Sequence, residues 1–233
     1  MIKVPKKELS EFDDIWIYKS LLDTYTSKIV NNYLQHKIQD TRANYEGRVI
    51  DHKQKRFRLI GTSHYRPYMK LWDFTHEPEY WNQTNNTVFN FVKSQYSKLL
   101  DPVPRLLIQK ISDLIPFSNK RFIALRGILN IMKPGTSLDP HLDGGGFIVN
   151  DAISNVYSAT YYSEVEGEGG EFWDERGFIY KPENNSLLIN IGNQTIHGVR
   201  KTSSTRLGMT IRFVQEHDLL LTGNTEDLLY KPN

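Results

Sequence analysis

From Thr205 to Val214 the chain alternates without a break, with Leu207, Met209, Ile211 and Phe213 on one face and Arg206, Gly208, Thr210 and Arg212 on the other. That pattern predicts a barrel strand with one face in a core and two guanidinium groups on the opposite face. Arg121–Met132 reads similarly, with Ile123, Leu125, Leu129 and Ile131 on one side, Arg126, Asn130 and Met132 on the other, and Pro134-Gly135 as a breaker. Asn155–Ser163 is a strand by composition, Glu166–Gly170 a turn, and Lys181–Asn185 another turn. Leu187–Ile191 is an apolar run, followed by a polar turn and a returning strand that begins at His197. The result is about eight short strands with turn signals between them, the pattern of a double-sheet jelly roll.

The N-terminal part has a different period. Leu9, Phe12, Ile15, Trp16, Leu22, Tyr25, Ile29, Val30, Tyr33 and Leu34 recur at roughly helical spacing and predict one or two helices. Thr87–Leu100 and Arg105–Ile115 are two further helical stretches, separated by Asp101-Pro102-Val103-Pro104. Residues 45–80 mix aromatics and bases, and their composition is equally compatible with flanking strands and with a loop over a site. The expected fold is therefore mainly β with N-terminal helices (α+β), a jelly roll with helices packed on one sheet. The expected organisation is one domain over 1–233: a mostly helical support with flanking elements in 1–118, a jelly-roll core in 119–216 and an extension in 217–233.

Composition narrows the picture modestly. A chain of 233 residues with 39% hydrophobic and 24% charged residues suits one sizeable globular domain. No apolar run of about 18 residues and no leader pattern is seen, so neither membrane insertion nor secretion is expected. The absence of cysteine excludes disulfides, thiolate metal sites and thiol nucleophiles, and a cytoplasmic location is the expectation. A net charge of +2 makes no case for nucleic acid, and the basic cluster Lys53, Lys55, Arg56 and Arg58 reads as solvated surface.

The candidate chemistry rests on His141-Leu142-Asp143 and on His197. Residues i and i+2 of a strand share a face, so His141 and Asp143 point together. With His197 they form two imidazoles and a carboxylate, a set that caps one face of a six-coordinate non-haem Fe(II) and leaves three positions open. Zinc is a rival for the same ligands. His36, His52, His64, His76 and His217 lack a carboxylate at that spacing and read as surface or structural residues. Arg206 adds to the triad, because a buried guanidinium costs several kcal/mol or more unless an anion meets it. A dicarboxylate ligand and an internal Asp or Glu are both adequate partners.

From about Lys120 to Gln215 the chain resembles the catalytic domain of 2-oxoglutarate- and Fe(II)-dependent dioxygenases, most closely the prolyl 4-hydroxylase type. The resemblance is carried by Lys133-Pro134-Gly135, His141-Leu142-Asp143, Tyr161-Tyr162, Glu168-Gly169-Gly170-Glu171-Phe172 and Ile196-His197-Gly198-Val199, then Arg206. It implies that His141, Asp143 and His197 hold Fe(II), that Arg206 grips the distal carboxylate of 2-oxoglutarate, and that Tyr162, or else Tyr161, hydrogen-bonds the same cosubstrate. It also implies hydroxylation of an unactivated C–H with O2, releasing succinate and CO2, with ascorbate as an auxiliary reductant. Arg206 and the paired tyrosines favour iron with a ketoacid over hydrolytic zinc.

Gln194, Thr195 and Thr210 are candidates for supporting hydrogen bonds. Arg212 is unusual for a prolyl hydroxylase; it suits the proximal carboxylate of 2-oxoglutarate, an acidic substrate or a phosphate. The Arg206–Arg212 pattern and Leu129-Asn130 are also similar to AlkB-type nucleic-acid demethylases. The favoured substrate is a peptidyl proline or a small molecule. The alternatives are a methylated nucleobase and a jelly-roll binding module without catalysis.

Overall fold

Strand formation follows the period-2 pattern where that pattern is clean. In the computed structural model, which describes residues 6–8, 12–45, 68–73, 93, 95–98, 100–114, 116–117, 121–143 and 155–215, eleven strands and two long helices are defined. The strands are β1 (Lys6–Glu8), β2 (Ile15–Lys19), β3 (Tyr68–Asp73), β4 (Phe122–Met132), β5 (Leu138–His141), β6 (Val156–Val165), β7 (Phe172–Asp174), β8 (Ile179–Tyr180), β9 (Ser186–Ile191), β10 (His197–Val199) and β11 (Arg206–Gln215). The helices are α1 (Thr24–Tyr45) and α2 (Pro102–Ser112). They form a seven-stranded sheet in the order β1-β2-β9-β6-β11-β4-β3 and a four-stranded sheet in the order β5-β10-β7-β8. The fold is the expected jelly roll, with β4 to β11 as its eight core strands.

Long strands at the centre of the large sheet set the geometry. β11 pairs antiparallel with β4 along one edge and with β6 along the other. Leu125, Leu129, Tyr161, Met209, Ile211 and Phe213 are 0% exposed and share one core with Val30 and Leu34 of α1 and Leu107 and Ile111 of α2. The helices thus cover the outer face of the large sheet, as the sequence suggests. Asp23 caps α1, accepting from the Thr26 amide at 2.9 Å and from the Thr26 hydroxyl at 2.6 Å. α2 opens with Pro102 in its first turn, where a missing N–H costs nothing, so Pro102 and Pro104 lie inside this helix and do not merely precede it.

One expectation needs correction. Ile15–Lys19 is a strand, not a helix, and it joins the large sheet beside β9. Its residues are buried on both faces: Trp16 and Tyr18 belong to the main core, while Ile15 and Ile17 pack with Phe172, Tyr180 and Leu188 between the two sheets. A strand covered on both sides shows no alternation, so its apolar positions mimic a helical stripe. The support segment 1–118 accordingly supplies three strands, β1, β2 and β3, as well as helices. Of Thr87–Leu100, residues 93 and 95–98 are helical and 100 lies in a bend; the rest of that stretch, most of 45–80, Gly144–Gly146 and the extension 217–233 fall outside the described residues.

One irregularity matters for the site. Arg212 faces Arg126 but Phe213 faces Ala124, so β4 carries one extra residue at that point. The Ala124 amide donates to the Tyr96 hydroxyl at 2.6 Å, and its carbonyl accepts from the Trp72 indole at 3.3 Å. The bulge is therefore satisfied from outside the sheet, and Arg126 stays on the inner face.

Candidate metal centre

His141 ends β5 and His197 begins β10, and the two are directly paired across the small sheet. Their rings lie 4.5 Å apart between centroids. Each ring is oriented by its own strand: His141 Nδ1 lies 2.8 Å from the Asp139 carbonyl and His197 Nδ1 2.9 Å from the Thr195 carbonyl. With Nδ1 donating to a carbonyl, Nε2 keeps its lone pair for a metal. His197 also stacks on Phe172, with centroids 5.4 Å apart.

Asp143 completes the group from the turn after β5. Its amide donates to the Gly192 carbonyl at 2.6 Å, tying that turn to the end of β9. A side chain at Gly192 would place its Cβ 2.5 Å from Asp143 Cβ, so the approach depends on glycine. The carboxylate oxygens stand 3.5 Å from each histidine Nε2, and the three ligand atoms lie within 4.8 Å of one another. Two imidazoles and a buried carboxylate converging on one point fit a divalent transition metal in their donor chemistry.

Electrostatics keep the carboxylate ready. Burial pushes the Asp143 carboxyl up, but the Arg212 guanidinium and the two imidazoles outweigh it and hold the group well below the usual carboxylate range. Arg212 Nη2 donates to Oδ1, and Ser158 Oγ donates to Oδ2 at 2.5 Å. His197 moves the other way: burial lowers it, but Asp143 and the Thr195 carbonyl raise it overall.

The triad lies in a cavity of about 450 Å3 between the two sheets, whose floor is the inner face of β4, β6, β9 and β11. Residues in register form successive rungs. Arg206 faces Met132; Gly208 faces Asn130 and Tyr162; Thr210 faces Ile128 and Thr160; Arg212 faces Arg126 and Ser158. Thr210 Oγ1 accepts from Asn130 Nδ2 at 2.5 Å and lies 2.9 Å from Thr160 Oγ1.

Arg206 sits at the end of this floor away from the Arg212 rung, with 3% of its surface exposed. Its guanidinium donates to the Gly170 carbonyl at 2.6 Å, to the Gly169 carbonyl and to Thr202 Oγ1 at 3.2 Å. Gly170 has φ +66°, and an added Cβ would meet the Arg206 guanidine carbon at 2.3 Å, so this turn must be glycine to cradle the cation. All of these acceptors are neutral, and among the described residues no carboxylate lies within salt-bridge distance. Burial lowers the guanidinium's proton affinity, and the charges of Tyr162 and Glu171 offset this only in part.

The other anticipated residues separate clearly. Tyr162 lines the cavity with Thr210 and Arg212. Tyr161 does not: it is fully buried on the outer face, where its hydroxyl reaches Asn185 Oδ1 at 3.1 Å and Ser27 Oγ of α1 at 3.4 Å. Alternation along β6 forbids both tyrosines from facing inward. Arg212 is engaged by a metal ligand, a partner that strand-level reading could not supply. Thr195 supports the site through its carbonyl only, and Gln194 donates to Asn155 Oδ1 at 2.5 Å. Ser158, Asn190 and Thr160 were not singled out from the sequence; the signal available was their period-2 spacing on β6 and β9.

No family model and no curated protein matches this chain. Solved structures do. A prolyl hydroxylase from Trichoplax adhaerens, in complex with a hypoxia inducible factor oxygen degradation domain peptide fragment, superposes with a TM-score of 0.54 at 14% identity, covering 91% of this chain and 88% of that one. A prolyl-4-hydroxylase from Pseudomonas putida gives 0.51 at 13% identity, with 86% and 92% covered. The non-haem alpha-ketoglutarate-dependent epimerase SnoN of nogalamycin biosynthesis gives 0.52 at 11% identity, with 87% and 78% covered. This chain shares their fold. Among its described residues no helix is long and apolar enough to cross a membrane.

Proposed function

We propose that this protein is a 2-oxoglutarate- and Fe(II)-dependent oxygenase of the prolyl-hydroxylase kind, acting on an unactivated C–H of a peptidyl proline or a small molecule. The observation that carries the reading is Arg206: a buried cation whose hydrogen-bond acceptors are all neutral, in the same cavity as a His-Asp-His ligand set. A hydrolytic zinc site has no use for such a cation. A dicarboxylate with a metal-chelating end satisfies both features at once. The fold supports it, since solved structures with this architecture include prolyl hydroxylases and an alpha-ketoglutarate-dependent epimerase.

His141, Asp143 and His197 would hold the iron, and Arg206 would take the far carboxylate of 2-oxoglutarate by its planar fork. Tyr162 and the Thr210–Asn130 pair stand between these two points and would orient the cosubstrate. Arg212 and Ser158 keep Asp143 ionised and aimed, so no proton must leave it when the metal arrives. The bound iron and ketoacid supply oxidation of a C–H by O2, with one oxygen atom going to the product and one to succinate as CO2 departs. Side chains need only position groups and exclude water, with ascorbate serving to keep iron ferrous.

The test is succinate formation from 2-oxoglutarate with Fe(II) and O2, together with a product heavier by about 16 Da, one inserted oxygen. Both should vanish in His141→Ala. Succinate formation that survives that substitution would refute the assignment. Salt-sensitive binding to nucleic acid would move the substrate toward a methylated base, and a total lack of turnover with intact metal binding would leave a binding module.

A further inference from the structure

The inner face of β9 carries one residue out of keeping with its surroundings. Leu188 packs between the two sheets, Asn190 follows two positions on, and in register Asn190 lies between Ile15 of β2 and Ser158 of β6. Ile15 belongs to the same apolar cluster as Leu188 and Phe172. Ser158 is committed to Asp143 Oδ2. Asn190 is therefore an amide set into an apolar flank, one strand from a residue that holds the metal ligand.

Its side chain lines the cavity, and the residue is 6% exposed. The amide carries two donors and an acceptor, yet it makes no hydrogen bond among the described residues, while neither amide atom is sealed from the cavity. An unpaired polar group at this depth costs folding free energy, whereas a leucine here would extend the cluster of Ile15, Leu188 and Phe172 without that cost. What offsets the cost enters through the cavity.

Position says which guest meets it. Arg206 stands six residues along β11 from Arg212, roughly 20 Å at strand rise, and Arg212 is in register with Ser158, which is in register with Asn190. A ketoacid held between the metal and Arg206 extends away from Asn190, so this amide faces the prime substrate. The cavity of about 450 Å3 must also hold the cosubstrate, and only a compact part of the substrate reaches this point.

Charge selects the chemistry. Arg212 and Asp143 offset each other, Ile15, Leu188 and Phe172 are apolar, and Arg126 lies three strands away with Asp73 opposite it in register. An ionised group at Asn190 would be desolvated with no side-chain counter-charge beside it. A neutral group whose N–H and C=O lie side by side engages the asparagine's carbonyl and N–H together. Primary amides and lactams have that arrangement; a trans peptide bond, with its N–H and C=O pointing apart, does not.

We propose that Asn190 is a specificity-determining residue of the prime-substrate subsite, pairing at two points with a primary amide or lactam of a compact, uncharged substrate. This rests on the oxygenase reading and names its substrate class.

The test uses the full chain loaded with Mn(II), a redox-inert stand-in for iron, and 2-oxoglutarate, whose own binding is measured first by calorimetry. Cyclopentanecarboxylic, 4-methylpentanoic and phenylacetic acids are then titrated, each as the primary amide, the N-methylamide and the free acid, and followed by the Mn(II)-enhanced relaxation of their protons. At least one primary amide should bind about fivefold or more tighter than both its N-methylamide and its acid. Asn190→Leu, and Asn190→Ala as a smaller replacement, should bring those ratios within about twofold while 2-oxoglutarate binding stays within about threefold of wild type. The urea midpoint of at least one of the two should equal or exceed that of wild type, because an unpaired amide has been removed. The ratios are taken within each variant, so a loss of folded protein does not imitate the effect. No binding by any primary amide, primary amides no tighter than their acids or N-methylamides, unchanged ratios in the variants, or a lowered urea midpoint in both overturns the amide subsite. If 2-oxoglutarate itself does not bind the metal-loaded chain, the oxygenase reading fails beneath it.

Discussion

The two faces of β11 are built from the same ten residues and obey opposite rules. Outward, Leu207, Met209, Ile211 and Phe213 are at most 1% exposed and close-packed beneath α1 and α2. Inward, Arg206 and Thr210 are nearly as buried and Arg212 is partly buried, yet all three line open space and the two arginines carry charge. Burial therefore does not distinguish core from site here; what fills the space beyond the side chain does. The outer face gains stability from removing apolar surface from water, whereas the inner face gives up stability by desolvating cations so that they can meet ligands.

The largest expected break is at the ligand carboxylate. Asp143→Ala should weaken Mn(II) binding by at least about a hundredfold. It should also cost about 3–5 kcal/mol of folding stability, because Arg212 loses the carboxylate that neutralises it within the cavity. Calorimetric titration and urea unfolding measure the two effects separately.

On the opposite face, Leu125→Ala should cost about 2–5 kcal/mol while leaving metal affinity within about twofold of wild type. A comparable loss of metal binding would mean that the two faces are not independent. Gly127→Ala tests the same face by addition: the new Cβ would fall 2.0 Å from the Trp72 ring, and unfolding should show a loss of about 1–3 kcal/mol.

Arg206→Met sharpens the contrast. Removing a buried cation held only by neutral hydrogen-bond acceptors should change folding stability by no more than about 1 kcal/mol, even though 2-oxoglutarate binding falls about tenfold or more. An outer-face residue of similar burial could not behave this way.

An effect outside the ordinary pH range concerns Tyr161 and appears only in alkali. Burial raises its hydroxyl from the usual 10 to about 12. The neutral form is favoured in the fold, so this contribution is intact below pH 10 and is lost as pH rises toward 12, amounting to about 2–3 kcal/mol. Tyr161→Phe should flatten that alkaline decline relative to wild type in pH-dependent unfolding. An unchanged slope would contradict its outward placement.

The same contrast explains what was legible in the sequence. β11 and β4 show one apolar and one polar face, so their inward residues could be read directly, Arg206 and Arg212 among them. His141 and Asp143 were legible as a closely spaced pair, although Asp143 lies in the turn after β5 and not in the strand, and His197 joins them because β10 pairs with β5. β2 was not, because Ile15 and Ile17 fill the space between the sheets while Trp16 and Tyr18 fill the main core. Tyr161 and Tyr162 could not be told apart until the register of β6 against β11 assigned each a side. The partners of Arg212 depend on which strands become neighbours, information that no single segment carries.

The most direct test of the central claim is calorimetric binding of 2-oxoglutarate to the metal-free and the Mn(II)-loaded chain. Binding that is strong only with metal present, and that is lost in Arg206→Met, is the expected result, because the ligand must be held at both ends. Equal affinity with and without metal, or full affinity without Arg206, would contradict the account.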